Sequence, residues 1–130
     1  MNPKEFRIGN LVLNDKCLNI IETLPSDVVC TLRTKQGNLI QARYELIEGV
    51  PLTGEMFVNC GAKPLQYTNK GYWISLYSLK AEIHFEFYGS EIVTTIKSDH
   101  CELILDRIRY VHQLQNLIFC LTAEELIFSR

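Results

Sequence analysis

Neither sign of charge dominates this chain. Among its 130 residues, 13 lysines and arginines face 15 acids, for a formal net charge of −2. That balance argues against a protein whose main work is neutralising a phosphate backbone. Long apolar runs are also missing. The longest, residues 117–121, is far below the roughly 20 residues that a membrane-spanning helix needs. Proline is scarce, at 4 residues, while hydrophobic residues make up 47% and charged ones 22%. Collagen, low complexity and disorder are thereby excluded. No CxxC pair is present, so neither a zinc ribbon nor a thioredoxin-type site is encoded. The dispersed glycines form neither GxGxxG nor GxxxxGK[ST], and HExxH is absent. The charged start, Met1 to Arg7, is not followed by an apolar stretch of signal-peptide length. A cytoplasmic protein is expected, with no membrane segment.

The 5 cysteines, an odd number, sit among apolar neighbours, as in Val28-Val29-Cys30 and Ile118-Phe119-Cys120. Reduced thiols serving as small core residues are the expectation, with Cys30 and Cys120 inert to thiol reagents.

Turn signals divide residues 7–48 into short strands at 11–13, 17–23, 28–33 and 39–44. Close spacing with tight turns predicts a small SH3-like β-barrel over residues 1–50. At Pro51 the pattern changes. Thr53 is placed to cap a short helix over 54–60, with Gly61 where a left-handed residue ends it. Strands are expected at 65–68, 72–79, 82–88 and 91–97, and a fifth at 101–105. In the third of these, Ile83, Phe85 and Phe87 alternate with Glu82, His84, Glu86 and Tyr88. Val111, Leu114, Leu117, Ile118 and Leu121 make one apolar stripe on a helix over 110–121. Thr122 with Glu125 has the form of a capping box for a last turn. The fold class is α+β. The barrel packs on a second module, residues 51–130, that runs helix, antiparallel meander, helix.

With these segments in view, a resemblance emerges. Arg7-Ile8-Gly9-Asn10-Leu11-Val12 near the start, Pro51-Leu52-Thr53 in the middle and Tyr110-Val111-His112-Gln113-Leu114-Gln115-Asn116-Leu117 near the end occur together. The chain resembles, over nearly its whole length, a family of small uncharacterised proteins encoded by phages, prophages and other mobile elements of anaerobic gut bacteria. The resemblance implies a mobile-element context and brings with it no activity, catalytic residue or cofactor.

Enzyme chemistry is not visible. His84, His100 and His112 are scattered, and His100-Cys101-Glu102 would split across a strand's two faces. Cys101 with His84 or His112 lacks any spacing that selects a nucleophile–base pair. Glu124-Glu125 is explained by a helix start. No metal or cofactor is expected.

Contact surfaces carry more information. Trp73 and Tyr77 share a strand face that His84 and Tyr88 would extend, and polar-tipped aromatics on an open face are enriched at interfaces. That face is either open to a partner or covered by the N-terminal module. The last helix has no charged residue between Tyr110 and Leu121. Its non-core face offers Tyr110, His112, Gln113, Gln115, Asn116 and Phe119, which predicts a fixed neighbour: the N-terminal module or a second subunit. His112 in such a contact would be a pH handle.

A non-enzymatic interaction protein of a phage or mobile element follows, acting through protein–protein contacts, with a protein partner or a homo-oligomer. The alternative is a nucleic-acid or nucleotide-binding accessory protein using Arg7, Lys35 and Arg43 or the Trp73/Tyr77 face. Interleaved acids and the scarcity of aromatics in the first module weigh against it.

Overall fold

The computed structural model describes residues 5–105 and 108–128. The outermost parts of the two expected modules, 1–4 and 129–130, lie outside them. Five strands form the first sheet: β1 (Leu11–Asn14), β2 (Cys17–Thr23), β3 (Val29–Arg33), β4 (Leu39–Arg43) and β5 (Ile47–Gly49), in the order β4-β3-β2-β1-β5. Asp15 and Lys16 take φ of 51° and 63°, the pair that a two-residue hairpin turn with right-handed twist demands. Among the described residues β4 and β5 do not pair, so the sheet is open rather than closed into a barrel.

Next comes α1 (Gly54–Asn59), whose N-cap Thr53 accepts a hydrogen bond from the Met56 amide at 3.4 Å. Gly61, with φ +86°, turns the chain away from its end. The second antiparallel sheet contains β6 (Lys63–Pro64), β7 (Gly71–Leu76), β8 (Ala81–Tyr88), β9 (Glu91–Ser98) and β10 (Glu102–Ile104), in the order β10-β9-β8-β7-β6. The last helix is α2 (Val111–Thr122). The mixed α+β class is therefore as expected: two antiparallel sheets, two helices and a majority of strands.

Alternation along β1 explains how the sheets join. Val12 points into a cluster belonging to the first sheet, with Phe6, Ile21, Cys30, Leu32, Ala42, Tyr44 and Ile47. Its neighbour Leu11 points the other way, as strand geometry requires. It enters a second cluster with Phe57 of α1, Leu76, Ile83 and Phe85 of the second sheet, and Val111, Leu114 and Ile118 of α2. Both helices thus cover the inner face of the second sheet. The first sheet contributes to the same core.

Several expected elements differ. Residues 65–68 are not a strand; β6 lies just before them, and the Leu65 amide bonds the Gly71 carbonyl as the chain loops out. Gly71 has no room for a side chain: a Cβ there would meet the Phe85 carbonyl oxygen of β8 at 2.3 Å and Leu65 Cδ1 of the loop at 2.6 Å. The strand expected over 72–79 stops at Leu76, because residues 77–79 coil into a 3₁₀ turn that Lys80 closes with φ +51°. The fifth strand begins at Glu102 rather than at residue 101. Beyond Thr122 no further helical turn forms. Ala123 adopts φ +59°, and the Thr122 hydroxyl donates back to the Ile118 carbonyl while accepting from the Glu124 amide at 3.1 Å, a local turn rather than the start of another helix.

Candidate functional site

Two surfaces deserve description from their residues upward: the amide-rich side of α2 and the outer face of the second sheet. On α2, regular helical spacing puts His112, Gln115 and Asn116 on the side facing the N-terminal segment. Gln115 is buried; its Oε1 accepts from the Leu11 amide at 2.8 Å, and its Nε2 donates to the carbonyls of Leu126 and Gly9 at 3.2 and 3.4 Å. Asn116 Oδ1 accepts from Asn10 Nδ2 at 2.8 Å and Arg7 Nε at 3.2 Å, while its Nδ2 donates to the Glu5 carbonyl at 2.9 Å. Arg7 also grips Glu125 with both terminal nitrogens, and its guanidinium lies 4.1 Å from the Phe119 ring centroid. Gln113 works differently: its Oε1 accepts from the amides of Arg109 and Tyr110 and closes the helix N-terminus. The neighbour of this face is therefore the chain's own N-terminal segment, docked through a clasp of amides.

His112 is not on a solvated or partner-facing surface. It is 0% exposed, between Phe6 and Tyr110, with ring centroids 4.9 and 5.7 Å away. Neither ring nitrogen has a hydrogen-bond partner among the described residues; Glu5 Oε2 lies 4.0 Å from Nε2. Burial pulls its pKa down to about 4. Cys120, expected to be inert in the core, is exposed; so are Cys17 and Cys101, and only Cys30 is buried. Ile118 occupies the inner side of the helix, whereas Cys120 and its neighbour Phe119 lie on the exposed side.

On the second sheet, cross-strand pairing brings Trp73, His84 and Thr95 into one row, with Ser75, Glu82, Lys97 and Glu102 in another. These point away from the helices. Tyr67, on the loop between β6 and β7, stacks its ring on His84 with centroids 6.0 Å apart. The Tyr67 hydroxyl is 3.1 Å from His84 Nδ1 and donates to Glu86 at 3.0 Å; His84 Nε2 is 3.3 Å from Glu82. Tyr88 donates to the other oxygen of Glu86 at 2.6 Å. Those phenols, Tyr88 first and Tyr67 next, hold the Glu86 carboxyl below its ordinary pKa. Burial and then the Glu86 carboxylate raise that of Tyr67.

Tyr77 sits in the 3₁₀ turn at the end of β7, 86% exposed, and shares with half-buried Trp73 a depression of about 170 Å³. This outer face is partly covered by the chain's own Tyr67. The first sheet packs on the opposite side, where Leu11 meets the inner-face residues.

Comparison with known protein families, curated proteins and solved structures finds no match.

Of the residues singled out in the sequence, Trp73, Tyr77, His84 and Tyr88 fall on or beside the outer face, whereas Tyr110, His112, Gln113, Asn116 and Phe119 belong to intramolecular packing. Sequence reasoning passed over Tyr67, Lys97 and the carboxylates of Glu82 and Glu86. Glu82 and Glu86 were visible as the polar half of the β8 alternation; Tyr67 had no local signal, because a loop carries no periodicity. Among the described residues no group of three or more His, Cys, Asp or Glu side chains is placed to hold a metal ion, and no helix is long and apolar enough to cross a membrane. His84 is engaged by Tyr67 and Glu82 rather than by Cys101.

Proposed function

We propose that this chain is a non-enzymatic protein-interaction module of a phage or mobile element, acting in the bacterial cytoplasm through the outer face of its second sheet. One observation carries this reading: both helices and the first sheet pack on the inner face, so half-buried Trp73 and exposed Tyr88 are left on the opposite face, with His84 there under Tyr67 and Tyr77 at the edge. Polar-tipped aromatics in such a position are what protein interfaces use as anchors. The segments on which the mobile-element resemblance rests, Arg7–Val12 and Tyr110–Leu117, meet in the clasp. They build a scaffold and leave recognition to the other side. In the same reading the first sheet is an SH3-like unit, supported by the return of β5 to pair with β1.

The nucleic-acid alternative has less support. Arg7 is occupied in the clasp, Arg43 pairs with Glu45 at 3.0 Å, and Lys35 lines a depression that also contains Asp15.

Affinity capture from bacterial lysate with the Trp73→Ala/Tyr77→Ala variant beside the unaltered chain tests the proposal. A protein retained by the unaltered chain should be lost from the variant. Equal retention by both, or co-purifying nucleic acid seen as a raised ultraviolet absorbance, would turn the assignment toward another surface or class.

A further inference from the structure

We propose that the occupant of this outer face is a cationic peptide segment, carrying arginine or lysine side chains, of the partner protein; the inference rests on the contact reading above and names the chemistry of its partner. Register supplies the first ground. The outward positions of β6 to β10 place four carboxylates, Glu82, Glu86, Glu91 and Glu102, against two ammonium groups, Lys63 and Lys97. The face is acidic although the chain as a whole is nearly balanced. A phosphate backbone would meet repulsion here. A purely apolar partner would strip water from carboxylates without repaying them.

The second ground is what the face already does with its own cations. Lys63 Nζ lies 5.5 Å from the centroid of the Trp73 ring, and Lys97 Nζ 5.3 Å from that of Tyr67. These rings accept a positive group over their faces. Carboxylates stand beside them: Lys97 is 3.3 Å from Glu102, and Glu86 receives the Tyr67 hydroxyl. An aromatic plane next to a carboxylate matches a guanidinium, which stacks and pairs at once.

Shape is the third. The depression at Trp73 and Tyr77, bordered by Lys63, adjoins another of about 410 Å³ where Glu82 and Asp99 stand with Lys80 and Lys97, and Ser75 and Tyr77 belong to both. Side chains spaced along an extended peptide would enter the two in turn.

A short synthetic peptide alternating arginine and serine is the probe. Trp73 is the only tryptophan in the chain, so its fluorescence reports binding at the site itself. The peptide should change that signal saturably, and added salt should weaken it. The Glu82→Gln/Glu86→Gln variant should bind about tenfold more weakly. Should that variant melt early, Glu102→Gln with the salt titration provides the same comparison.

A glutamate-for-arginine peptide or a single-stranded RNA binding equally well would overturn the inference. So would arginine-peptide affinity that ignores the Glu→Gln changes, or no binding at all. If the peptide fails while Trp73→Ala/Tyr77→Ala still abolishes protein capture, only the cationic chemistry is wrong; if capture too is indifferent to that variant, the contact reading falls with it.

Discussion

His112 shows how a single side chain can carry a pH dependence for the whole fold. Its ring contributes packing between Phe6 and Tyr110 but has no hydrogen-bond partner among the described residues. Burial lowers its pKa from 6.5 to about 4. The unfolded chain therefore takes up a proton near pH 6.5 that the folded chain refuses until about pH 4. Stability is complete above that window and declines as pH falls through it, by roughly 3 kcal/mol in all. Replacing His112→Phe should remove this component of the slope, since no buried base remains to be kept neutral. Urea midpoints of both proteins across the same pH range check it; parallel curves would show that His112 does not titrate with folding. The thiols offer a second residue-scale test. A maleimide should label Cys17, Cys101 and Cys120 in the native state and reach Cys30 only on unfolding, because Cys30 is buried and its thiol pKa is raised by that burial. Peptide mapping by mass spectrometry would read the order, and native labelling of Cys30 would contradict it.

At the scale of elements, α2 is best understood by what its polar side chains hold. An uncharged helix face combining amides and aromatics needs a specific neighbour, because an unsatisfied buried amide costs about 1–3 kcal/mol. Asn116 finds that neighbour in residues 5–10, and Gln113 spends its carbonyl on the helix's own start. The Gln113→Lys/Asn116→Lys variant should consequently lose about 2–4 kcal/mol of stability. Its mass by light scattering should be unchanged, since the contact is within one chain. A melting temperature equal to that of the parent would mean the clasp holds nothing. The same helix explains why Cys120 could not be placed from sequence: an apolar neighbourhood along the chain does not say which side of the helix faces the core.

The whole molecule is joined by one shared cluster. Leu11 of the first sheet, Phe57 of α1, Ile83 and Phe85 of the second sheet and Leu114 of α2 pack together. Neither sheet can leave without exposing the apolar surface of the other. Denaturation followed by Trp73 fluorescence, which reports the second sheet, should coincide with that followed by far-ultraviolet circular dichroism, which reports all strands. Two separated midpoints would show instead that the sheets unfold independently.

Local rules made much of this architecture legible beforehand. Turn residues and two-residue alternation located most strands, and the three-and-four spacing of Val111, Leu114 and Ile118 located α2, because those signals depend only on near neighbours along the chain. The inner and outer faces of β8 followed from the same alternation. What the sequence left open was which surface covers which. The clasp joins Leu11 to Gln115 and Asn10 to Asn116, 104 and 106 positions apart. Tyr67 reaches His84 from a loop that has no period to read. His112 is buried because Phe6 arrives from the far end of the chain. Such contacts depend on how the elements stack in three dimensions; a helix or strand advertises its own apolar stripe, while the partner of its polar side is chosen only when the sheets close over it.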